Sequence, residues 1–250
     1  MPTATETEQV LATPMGGRSV GEHIAAALAR GQLIARGDAG WTIADTGRSG
    51  SFVYGAKPMP VSCQLLMHGL FKAAYGQQRV PYNCRNCYKV RLAPRTFREL
   101  MAVHELARPY TELPWKCGST LHAPYSSGVY AAFFYLQGLD AARNFYHALR
   151  ARMAAHPQIA PDLPMRIKRG CTLYEVACGP SDRYPVAPEA VESWLLPRLQ
   201  HAARAPVPLP VVMHRWLEAA HKVGDTTYLE HTGGRPLHPA GLSYDPGPAA

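Results

Sequence analysis

Apolar residues recur along this chain with two different periods, and the changes of period mark its elements. In SVGEHIAAALARGQLIAR, Ile24, Leu28 and Ile34 keep partial helical spacing, and Ser19 with Glu22 has the spacing of a capping box. GDAGWTIADTGRSGSFVYGAKPMP reads as loops with two short extended pieces, Trp41–Ile43 and Phe52–Tyr54. VSCQLLMHGLFKAAYG predicts a buried helix ending near Gly76.

From residue 82 the pattern becomes regular. YKVRL is a short strand with Val90 and Leu92 on one face. Pro94 breaks it, and Thr96 with Glu99 caps a helix through about Ala107. GVYAAFFYL is apolar and aromatic, as suits a buried strand. Gly138 precedes the helix LDAARNFYHALRARMAA, in which Ala142, Phe145, Leu149 and Met153 fall at helical spacing. MRIKRGCTLYEVA is a third strand with a break at Gly170. APEAVESWLLPRLQHAA is a helix kinked or broken at Pro197, and VVMHRWLEAAHKV is the last helix.

The order β-α-β-α-β-α predicts an α/β fold: a small, partly parallel sheet built from a βαβαβ core and covered by helices. That core spans about residues 82–200 within a single domain of residues 18–223. A flexible arm, residues 1–17, precedes it, and a Gly/Pro-rich tail, residues 224–250, follows.

Composition narrows the class. The chain is 47% hydrophobic and 18% charged, which is globular, and 250 residues bury a core without help from disulfides or metal. No apolar run reaches the roughly 18 residues of a membrane span. The N-terminus has neither a basic region nor an apolar core of a secretory signal, so the expected compartment is the cytoplasm. In a reducing compartment a Cys-x-x-Cys pair points to metal or catalysis rather than to a disulfide.

One stretch concentrates the candidate chemistry: VPYNCRNCYKVRLAPRTFREL, residues 80–100, with no acid between Gln77 and Arg98. Cys84 and Cys87 precede the first regular strand, Cys117 precedes the second, and Cys171 adjoins the third. Loops and strand edges let a backbone curl around an ion, and thiolates hold zinc or iron–sulfur clusters. The starts of parallel strands in a right-handed βαβαβ unit share one sheet edge, which brings Cys87 and Cys117 together. Cys171 joins them if its strand starts at Thr172 or runs antiparallel. Cys84, Cys87, Cys117 and Cys171 are therefore the expected ligands, with Cys178 or His122 as a substitute. Cys63 reads as core packing on its apolar helix, and His68 and His104 as surface or core residues. A thioredoxin-like pair would follow a strand, whereas this one precedes it.

Dispersed single cysteines without a second knuckle favour an iron–sulfur cluster over zinc. Arg85, Lys89 and Lys168 are the cations expected to support its negative charge. The predicted role is redox or accessory, with a redox or protein partner and no membrane. The formal charge of +8 also admits a zinc-stabilised module that binds nucleic acid, with Tyr82 and Tyr88 as stacking groups. A third reading is a metalloenzyme held by Cys84, Cys87 and Cys117 with one open position. ADTGRSGS, with Asp45, Ser49 and Ser51, lacks a Walker lysine, and neither a G-x-S-x-G elbow nor H-E-x-x-H occurs, so no catalytic residue is assigned.

Overall fold

The structure, a computed structural model, describes residues 4–37, 39–44, 50–123, 125–201, 207–239 and 241; Asp45 and Ser49 lie outside them. Helix α1 (Ala4–Ala12) and two short paired strands, β1 (Pro14–Met15) and β2 (Arg18–Ser19), lead into α2 (Val20–Ala29). The capping box forms as expected: Ser19 accepts from the Glu22 N–H, and the Glu22 carboxylate accepts from the Ser19 N–H at 2.6 Å. Both short extended pieces are strands, β4 (Trp41–Ile43) and β5 (Phe52–Tyr54), after β3 (Leu33–Ala35). The apolar helix that follows widens into a π-helix, Leu65–Ala74.

The regular part comprises β6 (Cys87–Leu92), α3 (Phe97–Ala107), β7 (Trp115–Ser119), β8 (Tyr130–Gln137), α4 (Leu139–Ala154) and β9 (Met165–Arg169). Thr96 caps α3 by accepting from the Glu99 N–H. With β5 these strands make a five-stranded sheet in the order β5-β7-β8-β6-β9, and every neighbouring pair is antiparallel. The path is therefore β-α-β-β-α-β, the split-βαβ or ferredoxin-like topology, and not the partly parallel βαβαβ core expected. The difference is β7. Its sequence, WKCGS, mixes a cation and a glycine into a short run and carries little strand signal.

The third expected strand stops at Arg169. Gly170, at φ +62°, turns the chain into α5 (Thr172–Cys178). Helix α6 (Glu189–Leu195) ends before Pro197, and the chain re-forms as β10 (Leu199–His201) before α7 (Leu209–Lys222). Strand β10 pairs parallel with β4 in a separate three-stranded sheet, β10-β4-β3.

Two cores result. Val90, Leu92, Phe134 and Leu149 lie between the five-stranded sheet and α3, α4 and α7. Met15, Ile24, Leu70, Phe71 and Leu195 form a second core around α2, the π-helix and α6. Described residues of both terminal segments also form regular structure or pack on the core. Residues 4–12 are helical and Met15 is fully buried. At the other end Asp225 reaches back to the central unit, where its Oδ2 accepts from the Phe97 N–H at 2.5 Å and the Tyr130 hydroxyl at 3.1 Å. Arg98 and Glu230 form an ion pair beside it, and Tyr228 is buried.

Asp225 thus satisfies a donor in the first turn of α3 from far along the chain. Asp225→Ala leaves that N–H and a buried tyrosine hydroxyl unpaired. It should cost about 2–4 kcal/mol in urea unfolding. A loss below about 0.5 kcal/mol, the size of an ordinary surface change, would show that the segment is not docked in solution.

Candidate metal centre

The second core meets the sheet at β6. Residues 82–84 make a 3-10 turn, in which the Cys84 N–H donates to the Pro81 carbonyl at 2.8 Å, and the chain then enters β6 at Cys87. The turn is held from α6. The Glu192 carboxylate, 1% exposed, accepts from the Tyr82 N–H at 2.5 Å, the Asn83 N–H at 3.0 Å and the Asn83 side chain at 2.8 Å. A buried carboxylate requires such donors, and here the requirement fixes the Cys-x-x-Cys loop.

Strand β9 runs antiparallel to β6, which resolves the placement of Cys171. Arg169 pairs with Tyr88, and the Gly170 N–H donates to the Cys87 carbonyl at 2.8 Å. Cys171 therefore leaves β9 where β6 begins. It joins Cys84 and Cys87 around a cavity of about 220 Å³.

The fourth cysteine on that cavity is Cys63. It stands at the start of the apolar helix, two residues before the π-helix, and not in the core as expected. Cys117 is elsewhere. It is fully buried, belongs to the helix-covered core, and lies with its Sγ 3.9 Å from the Leu100 carbonyl of α3. Strand alternation explains the correction, because neighbouring residues point to opposite faces. Lys116 of the same strand lines the cavity, and Cys117 faces away. Cys178 ends α5 with its Sγ 3.5 Å from the Gln77 carbonyl. His122 lines a different hollow beside Arg215 and Glu218. Neither substitute ligand reaches the site.

Of the three expected cations only Lys89 meets a sulfur. Lys89 is 8% exposed, and its ammonium donates to Cys171 Sγ at 2.9 Å. Burial disfavours that charge, but the neighbouring Cys171, then Tyr135 and Cys87, more than offset the effect and raise the Lys89 pKa. Arg85 instead lies over the Tyr82 ring at 3.5 Å. Lys168 is engaged by Thr172 at 2.7 Å and Glu175 at 3.0 Å.

Burial lifts three of the cavity thiols, Cys63, Cys84 and Cys87. It pushes Cys87 up to about 11 despite Lys89 nearby. Cys84 is raised well above an ordinary thiol by burial, although the Tyr174 hydroxyl 3.4 Å away works against this. Cys63 is raised by burial and then by Cys171. Among the described residues no three His, Cys, Asp or Glu side chains are drawn together as a single ion requires.

Comparison with protein-family models, curated proteins and solved structures gives no match. The assignment therefore rests on the chemistry of the cavity itself. His68 also lines it, and burial, with Lys72 adding to the effect, lowers its pKa to about 4, so the imidazole is neutral at pH 7. The residues missed from sequence are Cys63 and Glu192. Cys63 carried a signal, a thiol at the start of a helix. Glu192 carried none, because its partners lie more than a hundred positions away.

Two predictions follow from these environments. The metal-free protein should be most stable between about pH 7 and 8.5, falling on both sides. Below that window the unfolded chain protonates His68 near 6.5 while the folded chain resists until about 4. Above it the unfolded chain loses thiol protons while folded Cys87 keeps its own to about 11. Urea midpoints across pH test this, and His68→Gln should flatten the acid side. In reduced, metal-free protein, iodoacetamide should modify exposed Cys63 early and buried Cys117 only on unfolding. Peptide mass spectrometry showing Cys117 among the first alkylated would contradict the packing.

Proposed function

We propose that this protein carries an iron–sulfur cluster on Cys63, Cys84, Cys87 and Cys171 and works in electron transfer or as an accessory redox protein. The observation that carries the proposal is the convergence of four thiols, from the helix at Cys63, the turn at Cys84, strand β6 and the turn after β9, on one cavity of about 220 Å³. Such a space suits a multi-atom cluster, whose thiolate ligands stand apart at its corners, better than a single ion, whose ligands must close to about 2.3 Å of one centre. Burial favours the protonated thiols at Cys63, Cys84 and Cys87, and iron would overcome this, since a bound cation deprotonates its thiol ligands outright.

Lys89 supplies the electrostatic support. A four-iron cluster with four thiolates is a compact anion, and a buried ammonium against one ligand sulfur favours the more reduced, more negative state. Lys116, on the same cavity, adds to the effect. The exposed edge of the site at Cys63 is the natural point of approach for a redox partner, because electrons enter where the cluster is least covered.

Anaerobic reconstitution with iron and sulfide tests this. About four iron and four sulfide per chain are expected, with thiolate-to-iron absorption in the visible. Ser replacements at Cys63, Cys84, Cys87 or Cys171 should each lose or convert the cluster, while Cys117→Ser and Cys178→Ser keep it. Lys89→Met should lower the midpoint potential and leave iron content near four. Stoichiometric zinc with no affinity for iron would replace the cluster by a zinc site and favour the nucleic-acid-binding alternative. Retention of full iron in Cys63→Ser with loss in Cys117→Ser would restore the ligand set expected from sequence.

A further inference from the structure

A second cavity, of about 780 Å³, lies at the other end of β6 and β9 and is lined by Arg91, Arg95, Arg150 and Arg166. We propose that it is a binding site for a phosphate-bearing small molecule of nucleotide size. This does not rest on the cluster.

The charge pattern on the two strands carries the argument. Lys89 pairs across the sheet with Lys168, and Arg91 with Arg166. Cross-strand partners share a face, and like charges placed opposite one another destabilise a sheet. In the first pair both charges are answered, Lys89 by Cys171 and Lys168 by Glu175. In the second, neither is answered by a carboxylate among the described residues. Arg91 is only 7% exposed, and the hydrogen bond from its guanidinium goes to a neutral group, the Ser127 carbonyl, at 2.6 Å. Burial, and then the neighbouring Arg166, work against its positive charge.

The acid on the cavity wall does not help. Asp162 is engaged by Arg95 through two bonds of 2.9 and 2.6 Å. Arg150 is held in place by the Leu163 carbonyl at 2.9 Å, again a neutral partner. Among the described residues, three guanidinium groups, of Arg91, Arg150 and Arg166, thus border one space with no carboxylate paired to them. A buried charge requires a partner, and planar guanidinium forks match phosphate oxygens. Pro94, Val129, Pro164 and Met165 give the same cavity apolar walls. A free inorganic anion would leave these uncovered, whereas a ligand with a phosphate end and a planar, weakly polar body would use both. The volume falls in the usual range for small-molecule sites.

The test is calorimetric titration of the whole chain, at about 0.15 M salt, with ADP, pyrophosphate and a single-stranded oligothymidylate. ADP should bind once per chain, more tightly than pyrophosphate. Arg166→Ala should weaken ADP binding at least about tenfold, as loss of one charge-assisted contact does. Arg166 is exposed, and its removal relieves a like-charge pair, so the ligand-free variant should melt no lower than the parent. Arg91→Met should weaken ADP binding further. The proposal is overturned if neither ADP nor pyrophosphate binds at millimolar concentration. It is equally overturned if ADP binds Arg166→Ala as well as the parent. Arg166-dependent binding of the oligothymidylate without binding of ADP would also sink it and make the cavity part of a track for a polymer.

Discussion

The alternation of one strand sorts the chemistry of this protein. Strand β6 is bonded on both sides, to β8 and to β9, so its residues can face only up or down. Val90 and Leu92 go to the helix-covered core. Cys87, Lys89 and Arg91 go to the other face, and both Lys89 and Arg91 are largely buried there. Two cations and a thiol in the middle of a sheet are costly unless negative charge meets them. Each of the two sites described above is the place where one of those cations seeks its counter-charge. The register of β6 could not slip by a residue without driving the cations into the aliphatic core and exposing Val90 and Leu92.

The π-helix belongs to the same arrangement. Such helices are rare beyond a single turn and cluster at functional sites. Here the wider coil starts just after Cys63, and its backbone bonds run five residues back, as from the Tyr75 N–H to the Leu70 carbonyl at 2.8 Å. It turns Met67 and His68 toward the cavity while Leu70 and Phe71 remain in the second core. Phe71 packs edge-on to Tyr174, and the Tyr174 hydroxyl lies beside Cys84 Sγ. The packing that holds the π-helix therefore also holds one of the cavity thiols.

Local signals in the sequence carried over to the fold, and pairing information did not. The capping box at Ser19, the Thr96 cap, the strands at Trp41 and Phe52 and the helix after Gly138 follow from residues within a few positions of one another, and all are present. Strand β7 was invisible because WKCGS lacks a periodic apolar face, and without it the chain path reads as parallel. One missed strand thus changed the sheet from partly parallel to antiparallel. The same difference separates Cys117 from Cys87. With parallel strands Cys117 shares an edge with Cys87; with β7 and β8 as an antiparallel pair, Cys117 stands opposite Ala132, level with Leu92 and on the helix-covered face. The antiparallel option expected Cys171 beside Cys87 and Cys117; it shares a cavity with Cys87 but not with Cys117. The roles of Glu192 and Asp225 depend on contacts about a hundred residues apart, which no local pattern encodes.

A ferredoxin-like chain path says nothing by itself about iron, because the same topology supports unrelated chemistry. Charge bookkeeping is the stronger guide. Of the cations near the Cys-x-x-Cys pair in sequence, Lys89 lies against a cavity thiol whereas Arg85 and Lys168 turn to other partners, and the difference is geometric. Lys89 shares the face of Cys87 two residues away along β6, whereas Arg85 precedes the strand and folds onto Tyr82. The same alternation, carried two residues further, places Arg91 on that face, where among the described residues its guanidinium bonds to a neutral carbonyl and to no carboxylate. Nearness in sequence thus gathers the basic residues. The strand period decides which of them bear on the thiols and which are left to bind an anion from solution.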